Sequence, residues 1–97
     1  MKFENAELQT TFEVLDKPTV RQWLAYDGAV EMRLGLTTYE RLWSGVQAIV
    51  KRDQWHSPIS LDVDLDSAQD HIAVEIIKWA GLGLFSFMLN LRNIEKN

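Results

Sequence analysis

The stretch from Ile72 to Leu91, IAVEIIKWAGLGLFSFMLNL, is the most apolar in the chain and constrains what the rest can build around it. Set out at about 100° per residue, it carries a stripe of Ala73, Ile76, Ile77, Ala80, Leu84, Phe87, Met88 and Leu91, the core-facing side of an amphipathic helix. The opposite side opens polar, with Glu75 and Lys78. It then turns apolar, where Leu82, Phe85 and Leu89 follow at i, i+3 and i+7. Such a helix has one more apolar face than a simple amphipathic element needs. Either the protein's own sheet covers that face as an internal second layer, the more ordinary arrangement, or another chain does.

Length argues against a membrane span. Thirteen uncharged residues separate Lys78 from Arg92, and as a helix they reach about 20 Å against roughly 30 Å for a bilayer core. The small residues Ala80, Gly81 and Gly83 instead permit close approach of another backbone.

A chain of 97 residues supports one hydrophobic core, so residues 1–97 read as a single domain. Its apolar fraction of 46% and charged fraction of 25% belong to the globular class and carry no signature of disorder. The opening MKFENAELQTT places charges where a signal peptide needs an apolar segment. The absence of cysteine excludes disulfides and thiolate metal sites and fits a cytoplasmic protein. A net charge of −4 opposes non-specific binding to phosphate backbones, and the bases Arg21, Arg33, Arg41, Lys51, Arg52 and Lys78 are dispersed.

Along the chain, Leu8, Thr10, Phe12 and Val14 alternate with polar residues and predict a strand. Phe3 fits a shorter partner strand, with Glu4 to Glu7 as the turn of a hairpin. Thr19 with Gln22 three residues on forms a capping box for a first helix running to about Met32. Its apolar side carries Val20, Trp23, Leu24, Tyr26 and Val30. Asp27 falls on that side, either as a buried carboxylate or, more simply, at the solvent edge beside a base. Arg33 to Leu36 is a connector. Thr37 and Glu40 predict a second capping box, and the helix after it has a stripe of Tyr39, Leu42, Trp43, Val46, Ile49 and Val50. Asp53 to Pro58 reads as a loop exposing Trp55 and His56. Ile59, Leu61, Val63 and Leu65 then alternate with Ser60, Asp62 and Asp64 as a second strand, after which Asp66 or Ser67 caps the long helix.

Chemistry is sparse. Asp62, Asp64 and Asp66 match the first positions of an EF-hand loop, but Ser67 stands where its glycine belongs and Ala73 where its glutamate belongs. His71 and Glu75 lie one helical turn apart, and two ligands do not make a metal site. No nucleophile elbow and no phosphate-binding glycine loop occurs, so the reading is a non-enzyme without cofactor or metal. Of the four tryptophans, Trp23 and Trp43 fall on core stripes. Trp79, at the edge of the long helix's stripe, and Trp55 are the ones placed for contact with a partner.

The order of signals resembles that of small, acidic, phage- or prophage-encoded tail-assembly proteins of a chaperone-like kind. The resembling segments are TTFEV, TVRQWLAY, YERLW, LDVDLD and IIKWAGL, followed by the tail Ile94-Glu95-Lys96-Asn97. The chain departs from that pattern after Gly81, where Leu82-Gly83-Leu84-Phe85 replaces polar residues. The resemblance implies a non-catalytic role, binding a tail component during virion assembly in the host cytoplasm.

Together these readings predict an α+β fold of three helices packed with a small, mainly antiparallel sheet, made of the N-terminal hairpin and a strand near 59–65. Function is expected to be protein binding, to another protein or as a homo-oligomer, through Leu82, Phe85, Leu89, Trp79 and Trp55. The alternative is a nucleic-acid-binding regulator that uses residues 19–32 and 38–52 as a helix-turn-helix pair.

Overall fold

The computed structural model describes residues 1–31 and 37–96, with side chains through Asn93. The first helix ends at Val30, before the expected Met32, because Glu31 takes a left-handed φ of 50° and caps it by donating its N–H to the Asp27 carbonyl; the connector Arg33 to Leu36 and the side chains of the tail Ile94 to Asn97 lie outside the described residues.

An antiparallel hairpin opens the fold. Strand β1 (Lys2–Asn5) pairs with β2 (Thr10–Glu13), with Phe3 opposite Phe12. The alternation read from the sequence is real: Thr10, Phe12 and Val14 point into the core, and Thr11 and Glu13 point away from it. Leu8 lies in the turn, where the Asn5 side chain accepts from its N–H and Gln9 adopts a left-handed φ of 51°.

Helix α1 (Val20–Val30) starts at the expected capping box, with Thr19 Oγ1 accepting from the Gln22 N–H and Gln22 Oε1 accepting from the Thr19 N–H. Its buried side is narrower than expected, since Tyr26 and Val30 are buried and Trp23 is half-buried while Val20 and Leu24 face solvent. Helix α2 (Tyr39–Ile49) is capped by Thr38, not Thr37, because the Thr38 hydroxyl accepts from the Arg41 N–H. Thr37 instead donates to the Val30 carbonyl. Leu42, Trp43, Val46, Ile49 and Val50 are buried, as the stripe requires, whereas Tyr39 is half-exposed at the helix start.

Two expectations in the middle of the chain are corrected. Trp55 is not exposed in a loop: after a single 3₁₀ turn at Arg52–Gln54, Trp55–His56 form β3, which pairs antiparallel with β2. Trp55 is 8% exposed, packs at a tilt against Phe12 and edge-on against Trp43, and donates from Nε1 to the Ile59 carbonyl at 2.9 Å. Residues 59–65 are not a strand. Their alternating polar residues act on the local backbone, with Ser60 Oγ accepting from the Asp62 N–H, Asp64 Oδ1 from the Asp66 N–H, and further turns closing at Val63, Ser67 and Ala68. Serine and aspartate at every second position mimic a solvent-facing strand edge, but their short side chains compete with the ladder for the same N–H groups. The segment is tied down by Gln47 donating to the Leu61 carbonyl, by the Thr10 and Ser57 hydroxyls, and by burial of Leu61.

The sheet therefore has three antiparallel strands in the order β1-β2-β3, and with three helices the fold is α+β. Helix α3 (His71–Lys96) begins later than Asp66 or Ser67, at Asp70, whose carboxylate accepts from the Ile72 N–H. Its buried stripe is Ala73, Ile76, Ala80, Leu84 and Met88. Full burial of a side chain such as Ile76 or Leu84 contributes about 1.5–3 kcal/mol, so this stripe holds the helix in place. Two glycines set its distances to its neighbours. A Cβ on Gly81 would lie 3.0 Å from Leu42 Cβ on α2, and one on Gly83 would lie 3.6 Å from the Phe3 ring.

Candidate docking face

The position of α3 between α2 and the hairpin decides what is left uncovered. On one flank Gly81 meets α2, and Lys78 Nζ sits 5.1 Å over the Tyr39 ring. The other flank meets the sheet: Trp79 packs edge-on against Phe12 and Phe87 edge-on against Phe3. The sheet thus covers Trp79, Gly83 and Phe87 and does not reach the second apolar face. Leu82 is 46% exposed and Leu89 40%, while Phe85 is half-buried. The internal second layer considered from the sequence is absent at Leu82 and Leu89.

Toward its C-terminal half, α3 meets α1. Arg92 donates to the Asp27 carboxylate and lies 5.1 Å over the Trp23 ring. Asp27 is therefore not a buried carboxylate but an edge residue beside a base. Beneath this pair a narrow cleft is lined by Tyr26, Asp27, Phe85, Met88, Leu89 and Arg92. Tyr26 reaches it from the core, and its hydroxyl is held well above its ordinary pKa, first by burial and then by the Asp27 charge, with Arg92 opposing.

Two residues of this region that the helix periodicity places on the core side are exposed. Val20 and Leu24, 76% and 69% exposed, share a ridge of α1 with Asp27 at i, i+4 and i+7. They border the Asp27–Arg92 pair from the α1 side, as Leu89 and Phe85 border it from the α3 side. Both helices pack on α2 and meet each other through side chains, the Arg92–Asp27 pair and the cleft between Tyr26 and Phe85, so two apolar ridges are bridged by one ion pair. A signal was present in the sequence: Trp23, Tyr26 and Val30 alone fill one stripe of α1, which leaves Val20 and Leu24 as surplus.

Of the five residues singled out from the sequence, Leu82, Phe85 and Leu89 come together on this face. Trp79 belongs to the sheet-facing flank. Trp55 is buried in the core beneath β2, away from the face.

By length and composition alone the segment His71–Asn93, 23 residues, is long and apolar enough to cross a membrane. This differs from the count of uncharged residues because Glu75, Lys78 and Arg92 fall within or beside the apolar run. A third of its most apolar window is buried inside the fold, the share expected of a helix packed along one stripe. Among the described residues, no group of three histidine or acidic side chains gathers in a way that holds a metal ion.

Fold and face together make an α+β structure with a two-helix surface that no described residue covers. Comparison with protein-family models, curated proteins and solved structures finds no match to this chain.

Proposed function

We propose that this protein acts by binding another protein chain through the α1–α3 face, without catalysis. The observation that carries the reading is the exposure of Leu82 and Leu89 on the same side as Val20 and Leu24, around one ion pair. Interfaces favour this composition, an apolar and aromatic centre with arginine and few other charges. The sequence resemblance supplies a setting, binding of a tail component during phage assembly in the host cytoplasm, and that setting is part of the proposal. The nucleic-acid alternative gains no support: on the outer side of the α1–α2 pair, Arg41 is engaged with Glu31, and the chain is acidic.

Photo-crosslinking amino acids placed at 82 and 89, compared with 44 and 60 elsewhere on the surface, test the reading in cells. Protein adducts confined to 82 and 89 support it. Equal yields at all four positions, or adducts only with lipid, overturn it.

A further inference from the structure

We infer that the chain docked on this face is a second copy of the same protein, bound as an antiparallel α3 pair with its twofold axis passing near Phe85 and Ser86. The inference rests on the reading of the face given above and names its occupant.

Three observations carry it. First, the apolar residues match under that symmetry. With the axis between positions 85 and 86, Leu82 falls opposite Leu89 of the second copy, and the central Ser86 is small enough for the helices to approach. Second, α1 widens the contact. It runs antiparallel to α3 from Trp23 by Arg92 to Tyr26 by Phe85, so the exposed Leu24 lies level with Leu89 and would border Leu82 of the second copy. A specific dimer buries about 800 Å² on each partner, more than one helix ridge supplies, and α1 provides the second ridge.

Third, the charges complement one another. Each end of the pair would bring Glu75 and Lys78 of one copy against Arg92 and Asp27 of the other, two acids and two bases in alternation. The face is electrically neutral although the chain carries −4; the surplus sits in the 62–70 loop and on the hairpin. Like-charge repulsion, the usual obstacle to self-association of an acidic protein, is thus kept away from the contact. The same four charges make the hydrocarbon of a bilayer a poor occupant, since acyl chains offer them no partners.

Sedimentation equilibrium on the full chain, from about 1 µM to about 1 mM, reads the pairing directly. A reversible monomer–dimer equilibrium is expected, and it should be lost in Leu82→Asp/Leu89→Asp, whose melting temperature stays close to that of the parent because both positions are already half in solvent. Lys78→Glu, which would set an acid against Asp27 of the other copy, should weaken the dimer, and Lys78→Arg should keep it. Because the chain has no cysteine, Ser86→Cys is also informative: a bifunctional thiol crosslinker should yield a covalent dimer from it and none from Ser60→Cys. A monomer at every concentration, a dimer indifferent to Leu82→Asp/Leu89→Asp, or one indifferent to Lys78→Glu overturns the inference. If the chain is monomeric and 82 and 89 crosslink to a different protein, self-pairing falls while the docking face stands. Partition of the purified chain into phosphatidylcholine–phosphatidylglycerol vesicles, abolished by the same double substitution, would overturn both.

Discussion

Arg92 and Asp27, sixty-five residues apart in the chain, are hydrogen-bonded across α3 and α1, and the guanidinium at the same time covers the Trp23 ring. This is the clasp that holds α1 against the C-terminal half of α3. It also bounds the uncovered face at the C-terminal end of α3. Because both side chains are a third to half exposed, the ion pair contributes little to stability, and its role is to fix the relative position of two apolar ridges.

Breaking the clasp should therefore cost little. Asp27→Ala is expected to lower stability by about 0.2–1 kcal/mol. Arg92→Ala should lower it somewhat more, because the contact with Trp23 adds about 0.5–1 kcal/mol at an exposed site. Urea denaturation followed by tryptophan fluorescence measures both. Equal effects of the two substitutions would show that the stacking contributes nothing.

Two helical glycines should respond in opposite directions to alanine. At Gly45 an added Cβ would sit 2.7 Å from a Tyr26 ring carbon and 2.9 Å from a Val30 methyl, so Gly45→Ala should destabilise by about 1–3 kcal/mol despite alanine's better helix propensity. At Gly28 nothing lies within 4 Å. Gly28→Ala should stabilise by about 0.5–1 kcal/mol. Thermal melts of the two variants give the comparison.

The Tyr26 hydroxyl is buried and finds no hydrogen-bond partner among the described residues. Tyr26→Phe should therefore be neutral or slightly stabilising at pH 7, since it removes an unpaired polar group. The pKa shift gives a second readout. A phenol whose folded pKa lies above its unfolded value of 10.0 stabilises the fold fully below that value and loses this contribution as pH rises beyond it. Stability of the parent should fall above about pH 10 more steeply than that of Tyr26→Phe. Parallel slopes would mean that Tyr26 ionises as freely in the folded protein as in the unfolded one.

The start of α3 depends on Asp70, and Asp70→Ala should cost about 0.5–2 kcal/mol as a lost cap. Asp66→Ala, at a position that accepts no bond from the helix, should change stability much less. Denaturation midpoints of the two variants distinguish the observed cap from the one expected from sequence.

Much of the fold was legible where a residue's role depends on near neighbours. The Thr19–Gln22 capping box, the alternation through Thr10, Phe12 and Val14 and the core stripe of α2 all follow from local periodicity and hydrogen bonding. The errors fell where the same residue serves two local purposes or where coverage is decided at long range. Ser60, Asp62 and Asp64 satisfy both a strand's outer face and a series of turns, and the turns won because β3 at Trp55–His56 already occupies the edge of β2. A two-residue strand is too short to show a period, so Trp55 read as loop. Leu82, Phe85 and Leu89 were identified as a second face from the helix wheel, but only the placement of α2 and the hairpin reveals that it stays open. Val20 and Leu24 were assigned to the core because a wheel records which residues share a side, not what covers that side.

Occupation of the α1–α3 face by protein when the molecule works is open to direct measurement. Hydroxyl-radical footprinting of Leu24, Leu82 and Leu89, compared between dilute purified protein and the chain in cells, tests it most directly. Strong labelling of all three in dilute solution and joint protection in cells are expected, with the exposed Leu65 of the 62–70 loop labelled alike in both. Equal labelling of the three leucines in the two conditions would contradict it.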